Sequence, residues 1–148
     1  MEIVRAELAD LDLLIPLFDG YRQFYQQPSD PDGARAFLEA RLMRAESVIF
    51  LAHEHEIGLG FTQLYPSFSS TTMQRLWILN DLFVSPDARG RGLGEALLAA
   101  ARAFAIDDDA KGLMLATAMT NTTAQRLYER SGYVRDTTFY HYNLVFGT

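Results

Sequence analysis

The stretch NDLFVSPDARGRGLGEALLAAARAF, residues 80–104, carries the clearest structural signal in the chain. It begins as an apolar, strand-like run, passes through a turn with two arginines and three glycines, and continues as an alanine-rich helix with one apolar stripe. A strand that ends in such a turn presents unpaired backbone N–H groups and the positive end of the helix dipole toward one point. This arrangement is suited to binding phosphate oxygens.

The glycine spacing distinguishes this turn from two other phosphate-binding motifs. The P-loop pattern G-x-x-x-x-G-K-[ST] does not occur, and the dinucleotide pattern G-x-G-x-x-G fails because Glu95 and Leu97 stand where its third glycine is required. ATP hydrolysis and nicotinamide-dependent hydride transfer are therefore disfavoured. The remaining alternative is an exposed tight turn whose arginines only aid solubility, and a second motif is needed to decide.

The length and composition favour one folded domain that forms a single catalytic or binding unit. A chain of 148 residues fits one domain, and we expect residues 1–148 to form a single one. The net charge of −6 disfavours a general nucleic-acid partner. The absence of cysteine excludes disulfides, thiolate metal sites and a cysteine nucleophile. No apolar run approaches the ~20 residues that span a bilayer, so we expect a cytoplasmic protein without a membrane partner.

Apolar periodicity predicts the element order βααβββαβαββ and hence an α/β or α+β domain with a mixed sheet. Asp30 and Pro31 are typical of a helix start, and residues 53–58 of a hairpin turn. In residues 120–133, Thr122 and Gln125 fit a capping box. The segment RDTTFYHYNLVF, residues 135–146, predicts a last pair of strands, which could also support a homodimer.

Two motifs resemble those of the Gcn5-related N-acetyltransferase (GNAT) superfamily. The run RGRGLG, residues 89–94, is similar to the family pattern Q/R-x-x-G-x-G/A, placed after a strand and at the start of a helix. The downstream segment TNTTAQRLYERSGY, residues 120–133, is similar to N-x-x-A-x-x-L-Y-x-x-x-G-[FY]. The order of elements fits that fold over nearly the whole chain. The runs LNDLFVSP and YRQFYQQ look closest to the branch with Hpa2-like and diamine or polyamine acetyltransferases.

This resemblance implies a GNAT-like fold with about four helices and a splayed, mostly antiparallel mixed sheet of six to seven strands. In that fold the fourth and fifth strands, mapped onto residues 79–84 and 113–119, part to admit the pantetheine arm of acetyl-CoA. The backbone of residues 82–84 would pair with pantetheine, and amides of residues 89–96 would hold the pyrophosphate. The implied cofactor-binding residues are Leu82, Phe83, Val84, Arg89, Gly90, Arg91, Gly92, Leu93, Gly94, Glu95, Ala96, Asn121, Ala124 and Tyr128.

Tyr128 is the candidate general acid. Asn121 and Tyr128 are seven residues apart, so if Asn121 begins the helix both project to one side, with the small Ala124 between them. A phenol carries a proton at neutral pH and can deliver it to a leaving thiolate, as the family pattern also implies. The alternative is a packed aromatic side chain on an amphipathic helix.

Asp81 is the candidate general base, because an attacking alkyl amine must first lose its proton. A carboxylate inside an apolar strand is costly unless it is paired or used. Some polyamine acetyltransferases of the resembling branch carry a Glu-Asp pair here, whereas this chain has Asn80 before Asp81. The alternative is a carboxylate that bonds to nearby backbone or to a tyrosine hydroxyl and holds a strand bulge open.

An amine acceptor is expected across the sheet opening from the coenzyme, near the first helix and the hairpin. Aromatic side chains near a carboxylate suit a cationic amine, although each of these rings could equally be core. The candidate acceptor-binding residues are Tyr21, Phe24, Tyr25, Tyr65, Trp77 and Asn80. His53 and His55 have no evident third ligand, so no metal is expected.

The sequence favours direct acetyl transfer within a ternary complex. Two other classes stay open at this point: a catalytically silent acyl-CoA sensor, and a subunit that works only through protein contacts. The first differs by binding without turnover, and the second by showing no stabilisation by acyl-CoA.

Overall fold

The computed structural model describes residues 1–147. The strands are β1 (Glu2–Arg5), β2 (Val48–Glu54), β3 (Ile57–Ser69), β4 (Gln74–Val84) and β5 (Gly112–Met114), and the helices are α1 (Leu11–Phe24), α2 (Pro31–Met43), α3 (Leu93–Asp107) and α4 (Thr122–Arg130). Short 3₁₀ turns cover Leu8–Asp10 and Pro86–Ala88. The first nine predicted elements, βααβββαβα, are confirmed.

The strands form one mixed sheet in the order β1-β2-β3-β4-β5. The first four strands are antiparallel, and β5 joins β4 in parallel. The predicted count of six to seven strands is wrong, since five strands form among the described residues. The predicted last pair is missing because residues 134–147 lie exposed and pair with no strand of the chain that the structure describes.

Helix starts follow local capping chemistry, with one correction. The Asp30 carboxylate accepts from the N–H of Gly33 at 3.0 Å with Pro31 in the first helical position, so the predicted start of α2 is confirmed. The predicted capping box at Thr122 is wrong. Asn121 caps α4 instead: its Oδ1 accepts from the Ala124 N–H at 3.1 Å, while Gln125 donates to carbonyls of the preceding loop.

Helices cover both faces of the sheet. Helices α1 and α2 pack on one face around Leu14, Leu38 and Phe61, and α3 packs on the other face around Leu97 and Leu98. Alternate residues of β2 and β3 supply the two cores because successive strand side chains point to opposite faces. Within residues 1–147, no helix combines the length and apolarity that crossing a membrane requires.

The sheet opens between β4 and β5. The two strands pair only where Leu76–Ile78 meets Gly112–Met114, and the rest of β4 has no strand on that side. The predicted fifth strand over residues 113–119 is therefore shorter than expected, although the parting of the strands is confirmed. Where β4 leaves β5 its register to β3 also shifts: Gln63 faces Asp81 and Leu64 faces Leu79, which leaves Asn80 as the extra residue of a β-bulge.

Candidate active site

The turn before α3 presents a row of free backbone amides. The N–H groups of residues 90–95 have no hydrogen-bond acceptor within residues 1–147, and the first amide bonded inside the helix is that of Ala96, to the Gly92 carbonyl at 3.1 Å. These groups lie at the positive end of a 15-residue helix. The geometry matches an anion-binding helix N-terminus.

Glycine is required in this turn for its backbone conformation. Gly90 has φ +79° and Gly92 has φ +75°, both in the left-handed region that disfavours other residues. A Cβ atom on either one would meet no atom within 4 Å, so steric space within the protein does not explain these two residues. The left-handed angles turn successive amides toward one side of the turn, as in the nests that bind anions.

The two arginines of the turn already have partners. The Arg89 Nε donates to the Val84 carbonyl at 3.1 Å, and its guanidinium lies 5.9 Å from the centre of the Phe83 ring. The Arg91 Nη2 is 3.3 Å from a carboxylate oxygen of Glu54. Backbone amides therefore form the main anion-binding feature of the turn, and the arginines add positive charge at its border.

One edge of β4 is open beside this turn. Residues 81–84 pair with residues 60–63 of β3, while β5 pairs no further than Ile78. An extended ligand is able to bond to such an edge as an added strand would. The predicted pantetheine contacts Leu82, Phe83 and Val84 lie on this segment, between the free amides and the bulge.

Asp81 lies at the bulge, 2% exposed and bonded on both carboxylate oxygens. Gln63 Nε2 donates to Oδ2 at 2.5 Å, and Asn80 Nδ2 donates to Oδ1 at 2.8 Å. The Tyr21 hydroxyl donates to the Asn80 carbonyl at 3.3 Å and lies close enough to the Asp81 carboxylate to lower its pKa. Burial raises the pKa of Asp81, against the opposing effect of the three donors.

The bulge decides which face Asp81 occupies. Trp77 and Leu79 pack toward α3, whereas Phe83 packs toward α1. Without the extra residue, Asp81 would lie on the same face as Trp77 and Leu79, because side chains alternate along a strand. The bulge instead turns Asp81 toward α1 and the Tyr21 hydroxyl.

Four tyrosines surround this position. The negative charge of Asp81 adds to burial in raising the pKa values of both Tyr21 and Tyr65, the latter to about 12. Burial raises the pKa of Tyr128 to about 12, with a further contribution from Tyr25. The ring of Tyr25 packs on that of Tyr21 with centroids 5.1 Å apart. The phenols of Tyr21, Tyr65 and Tyr128 therefore stay protonated at neutral pH.

The structure brings most of the predicted acceptor residues together, but not Trp77. Tyr21, Tyr25, Tyr65 and Asn80 lie around Asp81, and Phe24 packs on Tyr25 with 55% of its surface exposed. Trp77 lies under α3, where its Nε1 donates to Asp108 at 2.8 Å and its ring packs against Phe104.

Sequence reasoning missed Gln63, which is fully buried on β3 beside Asp81. A single glutamine in the apolar run GFTQLY was the available signal, because a buried amide requires partners. It also missed Asp19, which accepts from the Ser29 hydroxyl at 2.6 Å and the Asp30 N–H at 2.8 Å and so fixes the α1–α2 connection.

No three His, Asp or Glu residues converge as a metal site would need in the described part of the chain.

Comparisons with known proteins agree with this geometry. The Acetyltransferase (GNAT) family matches residues 14–133. An uncharacterized N-acetyltransferase of Bacillus subtilis (strain 168), YhfO, is 52% identical over 144 residues, which is 97% of each chain. The crystal structure of a probable acetyltransferase has a TM-score of 0.94 and 45% identity, covering 100% of this chain and 99% of its own.

A more distant structure shows the same fold with a ligand. An aminoglycoside N-acetyltransferase, AAC(6')-Iy in complex with CoA, has a TM-score of 0.80 at 19% identity and covers 97% of this chain and 93% of its own. The protein belongs to the GNAT acetyltransferase family, whose members use acetyl-CoA, and is an N-acetyltransferase.

Proposed function

We propose that this protein transfers an acetyl group from acetyl-CoA directly to a primary amine, with residues 1–148 acting as one catalytic unit. The observation that carries the proposal is the row of free amides at residues 90–95 beside the unpaired edge of β4. Together they provide an anion site and an extended hydrogen-bonding edge, which are the two features that a pyrophosphate joined to a pantetheine arm requires. We also place the protein in the cytoplasm, which its cysteine-free sequence supports.

Each part of the donor has a matching segment. The free amides of residues 90–95, which lie within the predicted range 89–96, hold the pyrophosphate, since the N–H groups of Arg89 and Ala96 bond to the Pro86 and Gly92 carbonyls. The backbone of residues 82–84 pairs with pantetheine. Asn121 and Ala124, at the start of α4, border the same opening, where a small side chain leaves room for the arm. The thioester carbonyl then lies near the bulge, where backbone N–H groups around Leu82 stabilise its developing negative charge.

The transfer is a direct attack of the neutral amine on the thioester carbon. The new C–N bond forms as the carbonyl oxygen becomes an oxyanion, and the C–S bond then breaks. Tyr128 donates its hydroxyl proton to the leaving sulfur. With a pKa of about 12, the phenol holds that proton at every working pH and regains one when the amine nitrogen loses its own.

Asp81 acts as the base through the Tyr21 hydroxyl. Both carboxylate oxygens are occupied by protein donors and the side chain is buried, so direct contact with an amine is blocked. The Tyr21 hydroxyl lies next to Asp81, near enough to lower the pKa of that carboxyl, and belongs to a less buried side chain. It can pass the additional proton of the bound ammonium group to Asp81, which leaves the neutral amine that attacks, without itself becoming charged.

The acceptor is a primary amine that is protonated, and so cationic, when it is free in solution. The aromatic side chains of Tyr21, Phe24, Tyr25 and Tyr65 offer ring faces to an ammonium group, and Asn80 borders the same space. The net charge of −6 attracts cations over longer distances.

Release of coenzyme A tests the proposal directly. The protein has no cysteine, so a thiol reagent detects released coenzyme A without a protein background. Polyamines, amino acids, aminoglycosides and basic peptides are assayed with acetyl-CoA, and each active acceptor is compared with its fully N-methylated form. Turnover with a primary amine and none with the methylated form is expected. Tight binding of acetyl-CoA without turnover on any amine would indicate a sensor instead.

A further inference from the structure

The side chain of Gln63 is bonded at only one end of its amide. It lies on β3 with none of its surface exposed. Its Nε2 donates to Oδ2 of Asp81 at 2.5 Å, whereas its Oε1 is also buried and has no hydrogen-bond partner within residues 1–147. A buried carbonyl oxygen without a partner is costly, so its position beside the proposed base requires a reason.

A primary amide can present either a donor or an acceptor to the same neighbour. Half a turn about the Cγ–Cδ bond exchanges Nε2 and Oε1 between nearly the same two places, and the energy of this terminal torsion varies little with its angle. In Gln63 such a turn breaks no bond at the other end of the amide, because Oε1 has no partner among the described residues. The orientation of the amide therefore depends on Asp81 alone.

Asp81 is a buried carboxyl with no cation beside it in the part of the chain that the structure describes. The groups that lower its pKa are neutral donors, and burial outweighs them. The titratable groups that face Asp81 or its neighbour Tyr21 are phenols, those of Tyr21, Tyr25, Tyr65 and Tyr128. Arg41 acts on Tyr65 and is paired with Glu46 at 3.0 Å. A buried carboxyl without a counter-ion takes up a proton readily.

The geometry around Oδ2 suits the neutral carboxyl as well as the ionised one. The 2.5 Å separation from Gln63 is below the usual range of about 2.7–3.2 Å for N–H···O bonds and at the lower end of the range of about 2.5–3.0 Å for O–H···O bonds. Asn80, which donates to Oδ1 at 2.8 Å, is exposed, so water is able to replace its amide. Gln63 is sealed from water and must itself meet a proton on Oδ2.

We propose that Gln63 is a positioning residue that serves both protonation states of Asp81 by turning its amide. When the carboxyl is ionised, Nε2 donates to Oδ2. When Asp81 has taken up the proton that Tyr21 passes on, Oδ2 carries this proton and donates it to Oε1. The carboxyl then keeps one orientation through the reaction, and its O–H is never forced against an N–H.

This inference rests on the proposed function where it names the source of the proton, whereas the turn itself needs only the titration of Asp81. Nuclear magnetic resonance of protein with carbon-13 in its aspartate carboxyls gives the pH midpoint of Asp81, whose signal is the one missing from Asp81→Asn. No acceptor or acetyl-CoA is present in this measurement. It therefore holds whether or not the proposed base is correct.

Neutron diffraction tests the turn directly, because neutrons distinguish nitrogen from oxygen and reveal deuterium. Crystals of the full chain are exchanged into heavy water at one pH above and one pH below the midpoint of Asp81. Above it, we expect the ND₂ group of Gln63 to face a carboxylate without deuterium. Below it, we expect deuterium on Oδ2 and the amide oxygen facing it. An amide that keeps one orientation at both pH values would overturn the proposal.

Gln63→Met tests the same point in solution, since methionine keeps the length of the side chain and removes both the donor and the acceptor. If Gln63 served only the carboxylate, its loss would raise the midpoint of Asp81 by about 1–2 pH units. Because the lost acceptor offsets the lost donor, we expect a change of less than about one pH unit. A larger change in either direction would contradict the proposal. Gln63→Leu gives the same comparison, and Gln74→Met, at an exposed position of β4, is the matched control.

Rate measurements separate this inference from the proposed function. We expect Gln63→Met to lower kcat by about 10-fold, because Asp81 is present but no longer held, with an unchanged KM for acetyl-CoA. The acidic limb of kcat/KM should remain, and wild-type kcat in this variant would count against the positioning role. If Asp81→Asn keeps the acidic limb, the proposed base is wrong while the neutron result still decides the turn. If Asp81→Asn loses the limb and the amide never turns, the base stands and this inference is wrong.

Discussion

Gly94 and Leu127 are in direct contact: a Cβ atom on the glycine would lie 3.1 Å from Cδ2 of the leucine. Gly94 belongs to the first turn of α3, which offers the free amides, and Leu127 precedes Tyr128 on α4. The anion site and the proposed acid are therefore carried by two helices that touch without an intervening side chain. A substitution that separates α3 from α4 would therefore move the thioester sulfur of bound acetyl-CoA away from the Tyr128 hydroxyl.

Replacing Tyr128 by phenylalanine removes the proposed proton donor and keeps the ring. We expect kcat to fall by about 10²-fold or more, the usual contribution of a general acid, with little change in KM for acetyl-CoA. Tyr133→Phe is the matched control, because the buried Tyr133 hydroxyl has no hydrogen-bond partner within residues 1–147. Full turnover by Tyr128→Phe at every pH on the true acceptor would remove Tyr128 from the mechanism.

Gly92→Ala places an L-residue at φ +75° and so disturbs the turn that we propose holds the pyrophosphate. The left-handed conformation costs an alanine about 1–2 kcal/mol. We expect KM for acetyl-CoA to rise and kcat to change less, measured by steady-state kinetics. Gly112→Ala is the control, since no atom lies within 4 Å of its added Cβ and its φ is not in the left-handed region. Equal KM values for the two variants would contradict the role of the turn.

Asp81→Asn and Tyr21→Phe test the proton relay together. If Asp81 accepts the proton through the Tyr21 hydroxyl, both variants lose the acidic limb of the profile of kcat/KM against pH. That limb lies above pH 3.8 because burial raises the pKa of Asp81. A limb that persists in Asp81→Asn would assign Asp81 to holding the bulge alone, and a limb that persists only in Tyr21→Phe would remove the tyrosine from the relay.

The Asp81 carboxyl also makes the free energy of unfolding depend on pH, in a direction that follows from its raised pKa. Its pKa is higher in the folded than in the unfolded protein, so the folded state binds more protons above pH 3.8. The wild-type protein should therefore lose stability relative to Asp81→Asn as pH rises from 3.8 through the raised pKa. Urea unfolding at a series of pH values measures the difference, and a difference that is constant with pH would show that the pKa is not raised.

Asp19→Asn tests the connection between α1 and α2. The contribution of Asp19 to stability depends on pH with the opposite sign to that of Asp81. Hydrogen bonds from Ser29 and from the Asp30 N–H lower the pKa of Asp19, so its contribution is present above pH 3.8 and is lost as pH falls through the lowered value. We expect the free energy of unfolding at neutral pH to fall by about 1–2 kcal/mol. Asp12→Asn, with its side chain 84% exposed, is the control and should change little.

Local signals predicted the anion-binding half of the site. The strand, the glycine turn and α3 are adjacent in sequence, and the capped start of α2 depends only on Asp30 and Pro31. The free amides follow from helix geometry, which is the same in any protein. These features could be predicted because no distant residue is needed to create them.

The surroundings of Asp81 could not be predicted, because they depend on one inserted residue. Alternation along β4 gives no sign that Asn80 bulges out and moves Asp81 to the face opposite Trp77. The contacts with Gln63 and Tyr21 join residues 18 and 60 positions away in sequence. The strands expected at residues 135–146 do not form in the described chain, because alternation alone does not supply the neighbouring strand that a sheet requires.

The way the anion site is built has a consequence for how the protein responds to its ionic surroundings. Attraction between an anionic ligand and exposed lysine or arginine side chains is screened by salt, so affinity that depends on it falls as ionic strength rises. Here Arg89 and Arg91 are bonded to the protein itself, and neutral peptide dipoles remain to meet the phosphates. The affinity for acetyl-CoA should therefore depend only weakly on ionic strength, and calorimetric titrations at low and high salt measure that dependence.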